Sequence, residues 1–240
     1  MQILFSPSEA KLSPEEIKKK VKNINTAKKS ILDDALWGGQ VARNANINAY
    51  INALEKSSEL TKIFGTKRVD MDMLSACLEL ANAPRIEALR LYSGVAYKAL
   101  DFASLEKKAQ DFLLESTLIF SNLFGLVRGF DPLPYYHLNQ NYRSKHLSLN
   151  TLYKSQKNDI SAFLSQNKII IDLRASVYAK AYPLKSANFS LSHYILPIPK
   201  GTSHQAKLYR GLALRELAKS SLQGEQALQK MLSEKFIYVD

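Results

Sequence analysis

The sequence predicts an α+β fold in which helices surround a mixed β-sheet. Short apolar runs at residues 2–5 and 168–173 are typical of buried strands, and amphipathic segments with capping residues separate such runs. A chain of 240 residues with 46% hydrophobic and 23% charged residues can bury a substantial core. Glycine and proline are too scarce for a long flexible linker. We therefore interpret residues 1–240 as one domain.

The first half of the chain predicts one early strand followed mainly by helices. The run Gln2–Phe5 is short enough for a strand buried on both faces, and it ends at Ser6 and Pro7. Ser13 followed by Pro14 predicts a helix start. That helix is expected to continue to residue 29. Trp37, Gly38 and Gly39 are expected to interrupt the regular structure before the next helix begins. Further helices are expected at residues 40–54, 57–64, 71–81 and 95–100 and after a Ser104 cap, with a strand at 89–92.

The second half predicts more strands. Residues 168–173, KIIIDL, form the clearest buried strand of the chain. Strands are also expected at 193–198, closed by Pro199 and Gly201, and at 236–239. Helices are expected at 150–165, from a Ser203 cap onward, and at 223–232.

A bent segment connects the two halves. Gly125 and Gly129 permit backbone angles that other residues avoid, and the prolines that follow fix φ. The bend leaves Arg128 between the two glycines. Two interpretations stay open: a buried turn with Arg128 in a structural salt bridge, or a loop that carries function.

The charge of the chain favours an anionic partner. Lys and Arg number 33 against 22 Asp and Glu, which gives a net charge of +11. Such an excess creates a field that attracts polyanions. Nucleic acid is the first candidate and an anionic membrane surface the second, while a charge that serves solubility alone is the third.

Several classes are excluded or disfavoured by residue types. The single cysteine, Cys77, excludes an intrachain disulfide and suits a reducing compartment. No signal peptide or membrane span is recognisable, so a cytoplasmic protein without membrane contact is expected. Phosphate-loop, dinucleotide-binding and GxSxG motifs are absent from the sequence, and the four histidines lack metal spacing. We expect no metal or cofactor.

Three loops with polar residues follow predicted strands or the bend. They are Ser6–Lys11, Arg174–Tyr178 and the segment around Arg128. If they converge, Lys11, Arg128 and Arg174 form a cationic cleft suited to phosphates. Glu9 beside Lys11 makes either an acid–base pair or a plain ion pair.

The helix predicted from Ser203 carries further basic residues. Lys207 and Arg210 are three positions apart and share a face, which Arg215 flanks. Gly211 costs about 1 kcal/mol relative to alanine inside a helix. A glycine there indicates close approach of another backbone or of a ligand. Leucines expected to point inward are Leu208, Leu212 and Leu214.

Five motifs in a fixed order carry a resemblance to a known family. They are MxILxSPSExK at the start, GxxYxxL from Gly94, SNLFGLVRxxDPLPYY from Ser121, DLRxxxYxK from Asp172 and KxxRGxxxR from Lys207. Together they span nearly the whole chain. The sequence thereby resembles the YaaA family of bacterial peroxide-stress proteins.

The resemblance implies a fold and a function. Members are cytoplasmic, have an α+β fold of their own (cantaloupe-type) with a positively charged cleft, bind DNA and help to protect cells from oxidative damage. A helix-hairpin-helix element is attributed to the family, and we assign it to the Gly125–Gly129 bend. The family pattern points to Ser6, Pro7, Lys11, Gly94, Tyr97, Gly125, Arg128, Tyr178, Lys207, Arg210 and Arg215. The sequence departs from it at Gly129, His137 and Val177.

The leading hypothesis is a DNA-binding protein that contacts duplex or structured DNA mainly through phosphates. Tyr135 and Tyr136 either stack on unpaired bases or belong to the core. The alternative is an enzyme that acts on a nucleic-acid or phosphorylated substrate, with Lys11 or Glu9 reactive. The cations expected to contact DNA are Lys11, Arg128, Arg174, Lys207, Arg210 and Arg215.

Overall fold

A computed structural model describes residues 1–21, 30–32, 39–184, 192–198 and 202–239. Within these ranges the strands are β1 Gln2–Phe5, β2 Arg85–Glu87, β3 Thr117–Ser121, β4 Gly125–Arg128, β5 Pro132–Pro134, β6 Ile169–Asp172, β7 Ser192–Ile195 and β8 Ile237–Val239. The helices are α1 Pro14–Val21, α2 Gln40–Lys56, α3 Leu60–Phe64, α4 Met71–Leu78, α5 Ala88–Leu91, α6 Val95–Leu100, α7 Lys107–Ser116, α8 Leu149–Ser155, α9 Lys157–Leu164, α10 Ser176–Ala181, α11 Ser203–Leu222 and α12 Glu225–Lys235.

The main sheet has the strand order β4-β3-β1-β6-β7-β8. Strands β3, β1, β6 and β7 are parallel to one another, whereas β4 and β8 pair antiparallel at the two edges. A separate antiparallel pair is formed by β2 and β5. The chain leaves β1 for β3 on one side and later returns to β6 on the other. This reversal places a crevice at the carboxyl end of β1, where open sheets of this kind bind ligands.

Helices cover both faces of the sheet, which explains why its central strands are nearly continuous apolar runs. Ile3 and Phe5 of β1 lie in a core formed with α5, α6, α7 and α11. Leu4, between them, points to the opposite face and packs in a second core formed with α8, α9 and α10. The mixed sheet surrounded by helices that the sequence predicts is confirmed.

Local signals in the sequence locate several elements correctly. Ser13 caps α1: its hydroxyl oxygen accepts the Glu16 N–H at 3.2 Å, and its own N–H donates to the Glu16 carboxylate at 2.7 Å. The strands predicted at 2–5 and 168–173 correspond to β1 and β6. The helices predicted at 40–54 and 95–100 correspond to α2 and α6.

Three predicted elements differ in the structure. In the run expected as a strand at 89–92, residues 89–91 are helical, because the pairing in this region is made by β2 and α5 follows it at once. Tyr92 forms an isolated antiparallel bridge to Lys11. Ser104 ends a short 3₁₀ turn and does not cap α7, which begins at Lys107. The helix expected at 150–165 divides at Gln156, whose side chain accepts the N–H of Leu126 at 3.2 Å.

The bend at Gly125–Gly129 is not a helix-hairpin-helix element. It is a β-hairpin, because Gly125–Arg128 forms β4 and pairs antiparallel with β3. Gly125 has a φ of +73°, and a side chain there would also meet Gln156. The glycine therefore serves a tight turn.

Some predictions fall outside the described residues. These are the continuation of the first helix through residues 22–29, the break at Trp37 and Gly38, and the strand-closing Pro199 and Gly201. Within the described ranges, no helix is both long and apolar enough to cross a membrane.

Candidate functional site at the carboxyl ends of the parallel strands

Two of the three predicted loops meet at one end of the sheet. The loop Ser6–Lys11 follows β1, and the segment Arg174–Tyr178 follows β6, its parallel neighbour. The N–H of Ala175 donates a hydrogen bond to the Ser6 hydroxyl oxygen at 2.8 Å. The junction of these two loops lies in the crevice expected from the strand order.

Arg128 lies elsewhere. It pairs with Leu118 in the antiparallel hairpin, toward the amino ends of the parallel strands. Buried Asp131 accepts hydrogen bonds from the Arg128 backbone N–H at 2.8 Å, from Nε at 3.1 Å and from Nη2 at 3.0 Å. Arg128 is thus held in the structural salt bridge that one of the two interpretations expected. The cleft of Lys11, Arg128 and Arg174 is not formed.

The α6 helix supports the Ser6–Lys11 loop from one side. The Tyr97 hydroxyl donates to the Ser6 carbonyl oxygen at 2.9 Å. A Cβ atom on Gly94 would lie 2.0 Å from the Ser8 hydroxyl oxygen, so only glycine lets the loop approach the start of α6 this closely. Gly94 and Tyr97 therefore shape the site through the loop they hold.

Two buried tyrosines, Tyr92 and Tyr136, lie beneath the Ser6–Lys11 loop. The Tyr136 hydroxyl lies 2.9 Å from that of Tyr92, 3.0 Å from the Ser121 hydroxyl and 3.1 Å from Asn122 Oδ1. Burial raises the pKa of Tyr136 to about 12, so its ring stays neutral. Tyr136 is fully buried and belongs to the core, which corrects the idea that it stacks on bases. Tyr135 is half-buried.

Lys11 packs over the rings of these two tyrosines. Its Nζ donates to the carbonyl oxygens of Ser8 at 2.9 Å and Glu9 at 3.2 Å, and lies 4.0 Å from the ring centre of Tyr136. Burial lowers the pKa of Lys11 to about 7, and the neighbouring Cys77 and Glu9 oppose this shift only partly. Among the described residues, no carboxylate lies within ion-pair distance of Lys11, so the predicted Glu9–Lys11 ion pair is wrong.

Arg174 is committed to internal contacts. Its guanidinium donates to both Asp172 carboxylate oxygens at 2.9 and 2.7 Å and to the Tyr182 carbonyl at 2.8 Å. It also stacks 4.4 Å from the ring centre of Phe120. Burial alone would raise the pKa of Asp172, but the charge and hydrogen bonds of Arg174 outweigh it and leave that pKa lowered. With 1% of its side chain exposed, Arg174 positions the loop and is closed to a large ligand.

Arg215 and Gly211 fix α11 against α6. Arg215 Nη1 donates to the carbonyl oxygens of Leu100 at 2.7 Å and Asp101 at 3.0 Å, at the end of α6. A Cβ atom on Gly211 would lie 2.0 Å from the Ala96 carbonyl oxygen. The glycine is therefore explained by close approach of another backbone, one of the two predicted alternatives.

Lys207 and Arg210 are the predicted cations that stay available on α11. Lys207 is exposed, and Arg210 is half-buried without a hydrogen bond to the described residues. Burial lowers the pKa of Arg210, and the Asp172 carboxylate partly offsets that effect. This coupling places Arg210 near the carboxyl end of β6. On the same helix Leu214 is buried as predicted, whereas Leu208 and Leu212 are exposed, contrary to the prediction.

An open cavity of about 900 Å³ adjoins Lys11. Tyr135 lines it with residues of α1 and α4 and the segment that precedes β2. Its charged lining consists of Lys11, Lys18, Glu15, Asp70, Asp72 and Glu79. Sequence reasoning missed this cavity, because Glu15 and Asp72 look like ordinary first-turn acids of separate helices. The described lining holds more carboxylates than amines, so this cavity is not a positively charged cleft.

No group of three or more metal-ligating side chains is present in the described part of the chain. His193 lies at 4.0 Å from the Asp172 carboxylate, and burial lowers the pKa of this histidine. Its Nε2 is buried without a hydrogen-bond partner.

Comparison with known proteins gives matches along the whole chain. Residues 1–240 match the family described as "Peroxide stress protein YaaA". The uncharacterized protein Cj0984 of Campylobacter jejuni is 34% identical over 233 residues, which cover 95% of this chain and 89% of the relative. A UPF0246 protein of Corynebacterium glutamicum is 32% identical over 186 residues, covering 75% and 74% of the two chains. A UPF0246 protein of Fusobacterium nucleatum is 26% identical over 235 residues, covering 96% and 90%.

Proposed function

The chain belongs to the family of the peroxide stress protein YaaA, and on that premise we propose that it binds DNA through phosphate contacts as part of the peroxide-stress response. The observation that carries the proposal is the pair Lys207 and Arg210 on α11. These are cations of the predicted set whose side chains are not taken up by hydrogen bonds or ion pairs with described residues. They supply contacts for phosphate.

The geometry of the pair suits a phosphate backbone. Lys207 and Arg210 lie three positions apart, so both project from one face of α11. Arg210 offers a guanidinium fork that binds phosphate through two hydrogen bonds, and Lys207 adds a mobile point charge. Partial burial already costs Arg210 part of its hydration, and an anion compensates that loss.

The rest of the molecule supports the pair through its long-range field. A net charge of +11 raises the local concentration of polyanions and speeds their encounter. Arg128, Arg174 and Arg215, by contrast, are held by Asp131, Asp172 and the end of α6. DNA binding should therefore depend on a few strong phosphate contacts and discriminate little between base sequences.

The test measures binding of duplex, bubble and junction DNA by fluorescence anisotropy across a salt series. Each phosphate contact contributes a slope of about −0.9 to log K against log salt for duplex DNA. We expect the double variant Lys207→Ala/Arg210→Ala to make the slope shallower by about 1.8. The matched control is Lys154→Ala/Lys157→Ala, which removes two exposed cations from α8 and α9 on the other face of the sheet.

Comparison of the two double variants distinguishes a local binding site on α11 from diffuse electrostatic attraction. Equal losses in both variants would show that the charge acts only through the overall field. Absence of wild-type binding near 0.15 M salt, roughly the physiological ionic strength, would reject the DNA proposal itself. A protective role is tested in cells that lack the gene, since complementation with the α11 double variant should restore survival of hydrogen peroxide less well than wild type.

A second candidate function is an enzyme that acts on a nucleic-acid or phosphorylated substrate. The observation in its favour is the Lys11 amine, whose pKa of about 7 leaves a large neutral fraction at neutral pH. The carboxylates of the adjoining cavity work against a phosphorylated substrate, because like charges repel. NMR titration of Lys11 together with turnover assays on damaged and branched DNA tests this candidate. An ordinary Lys11 pKa without turnover would contradict it.

A further inference from the structure

We propose that Lys11 is the nucleophile of a Schiff-base site that takes a small uncharged aldehyde from the adjoining cavity. The inference rests on the second candidate function, a reactive Lys11, and is independent of DNA binding. It replaces the phosphorylated substrate of that candidate with a substrate class that the cavity lining accepts.

The amine has no ion-pair partner among the described residues. Nζ contacts two neutral carbonyl oxygens, at 2.9 and 3.2 Å, and the faces of two aromatic rings. The rings belong to Tyr136, at 4.0 Å from Nζ to the ring centre, and Tyr92, at 5.5 Å. A lysine in a salt bridge is pinned as a cation, whereas Lys11 has no described carboxylate partner that would hold its proton.

The titratable groups around Lys11 do not restore its proton either. Cys77 and Glu9 favour the ammonium form, yet burial outweighs both and brings the pKa of Lys11 to about 7. The pKa of Cys77 is itself raised by burial, so its thiol is neutral at pH 7. The pKa of His137 is lowered by burial and by the charge of Lys11, and Tyr92 and Tyr136 remain protonated. A neutral amine at neutral pH is the nucleophile that a Schiff base requires.

The cavity gives the amine a substrate space. Lys11 lies in its wall together with Ile17, Met73, Ala76 and Pro84, which provide apolar contact surface. About 900 Å³ holds a small organic molecule.

The charged part of the lining selects the substrate. Glu15, Asp70, Asp72 and Glu79 repel phosphate and carboxylate groups and leave an uncharged carbonyl compound favoured. Asp70 is held in place, because its carboxylate accepts the backbone N–H groups of Asp72 and Met73 at 3.0 Å each.

The reaction balances without an oxidant or reductant. The Nζ lone pair forms a bond to the carbonyl carbon, the C=O π electrons move to oxygen, and a proton shifts from nitrogen to that oxygen to give a carbinolamine. Protonation of the hydroxyl, loss of water and loss of the remaining N–H proton then give the imine. Hydrolysis reverses both steps and releases the aldehyde. The cavity is open, so these protons exchange with solvent, and the carboxylates of its lining serve as further proton acceptors.

The test traps the imine. Full-length protein is incubated at pH 7 with DL-glyceraldehyde and sodium cyanoborohydride, which delivers hydride to the imine carbon and leaves a stable secondary amine. Peptide mass mapping then compares Lys11 with Lys18, an exposed lysine in the lining of the same cavity. An ordinary lysine, with a pKa near 10.4, has a neutral fraction at pH 7 about a thousandfold smaller than an amine of pKa 7. We expect at least about tenfold faster labelling of Lys11 after allowance for its weaker basicity.

Variants and a charged probe complete the design. Lys11→Arg keeps a basic group over Tyr136 and should abolish labelling at residue 11. Lys154→Arg, at an exposed site of α8 on the other face of the sheet, should leave Lys11 labelling unchanged. The labelling rate of Lys11 should rise through pH 7 and level off by about pH 9, where a group of pKa 7 is deprotonated. The second probe is glyceraldehyde 3-phosphate. When the rates are normalised to the exposed Lys154, this probe should label Lys11 more slowly than glyceraldehyde does.

Two results would overturn the proposal. Labelling of Lys11 no faster than of Lys18 would show that its amine is not a favoured nucleophile. Faster labelling by the phosphorylated probe would refute the substrate class. The labelling experiments with either aldehyde contain no DNA. DNA binding by Lys11→Arg is measured separately by anisotropy, so the Schiff-base proposal and the DNA-binding proposal can fail independently.

Discussion

The two ends of the parallel strands are assembled in different ways. Near the amino ends, Arg128 pairs with Asp131, three residues further along the chain. At the carboxyl ends, contacts join distant parts of the sequence: Ala175 bonds to Ser6 across 169 positions, and Tyr97 bonds to the same residue across 91. The first end is a locally closed turn, and the second is a junction of separate loops.

A comparison of Arg128 with Arg210 shows why one arginine of a family motif has a structural role and another remains available to bind an anion. A carboxylate in the same turn satisfies Arg128, and its pairing requires no other part of the chain. Arg210 has no such neighbour, and its surroundings are assembled only when α11 packs against α6. Candidate sites therefore arise where long-range packing gathers polar groups that local sequence leaves unsatisfied. Four predictions test this contrast. The first three are stability changes in order of decreasing size, and the fourth is a pH dependence.

Arg174→Ala should destabilise the fold by about 3–5 kcal/mol, because it leaves the buried Asp172 carboxylate unpaired. The free energy of unfolding in urea measures this loss. The double variant Asp172→Asn/Arg174→Met should be more stable than Arg174→Ala, since no charge remains to be compensated. A loss below about 1 kcal/mol in the single variant would contradict the assignment of Arg174 as a buried structural group.

Asp131→Ala should cost about 2 kcal/mol at the other end of the strands, because the Arg128 N–H loses its acceptor while the partly exposed guanidinium regains water. Urea unfolding checks the stability, and anisotropy checks DNA binding, which should be unchanged at temperatures where the variant is folded. A weakened salt dependence of binding would place Arg128 in the DNA interface and remove the contrast between the two ends.

Ser6→Ala should cost about 1 kcal/mol, since the Ala175 N–H loses its acceptor where two loops meet. Ser165→Ala is the matched control. Among the described residues its hydroxyl bonds to Ala162, three residues earlier, so the change should cost less than about 0.5 kcal/mol. Urea unfolding compares the two. Equal effects would mean that long-range and local hydroxyl contacts contribute alike.

The desolvated Lys11 amine should have an effect that is visible as a pH dependence of stability. The folded-state pKa, about 7, lies below the ordinary value, so between those values the unfolded chain binds more protons and stability rises with pH. The stability of wild type relative to Lys11→Met should therefore increase from pH 7 toward pH 10 and stay flat below pH 6. Urea unfolding across this range measures it. A flat difference throughout would show that Lys11 keeps an ordinary pKa.

The sequence predicted most elements because their signals are local. Ser13 and Glu16 cap α1 through their own backbone groups, and the apolar run of β6 identifies it without reference to its neighbours. The failures occur where a distant contact decides. Gln156 divides the helix predicted at 150–165 and reaches β4, and the pairing of β2 with β5 leaves the following apolar run to form α5.

The candidate site was predicted only in part for the same reason. The meeting of the Ser6–Lys11 and Arg174–Tyr178 loops follows from two parallel strands whose carboxyl ends share an edge. The separation of Arg128 from them depends on β4 running antiparallel to β3. The cavity beside Lys11 arises from helices whose relative placement no short stretch of sequence specifies.

By itself, the sequence determined most strand and helix types, the excess of positive charge and the family motifs, because capping, apolar periodicity and composition act over a few residues or over the whole chain. Tertiary structure alone decided which cations remain available. Arg128 is neutralised by a carboxylate of its own turn, but the desolvation of Lys11 and the covering of Gly211 depend on groups many positions away. The three-dimensional packing separated the cations of the expected cleft: Arg128 and Arg174 lie in structural salt bridges near opposite ends of the strands, and Lys11 holds a desolvated amine. Lys207 and Arg210 on α11 remain available.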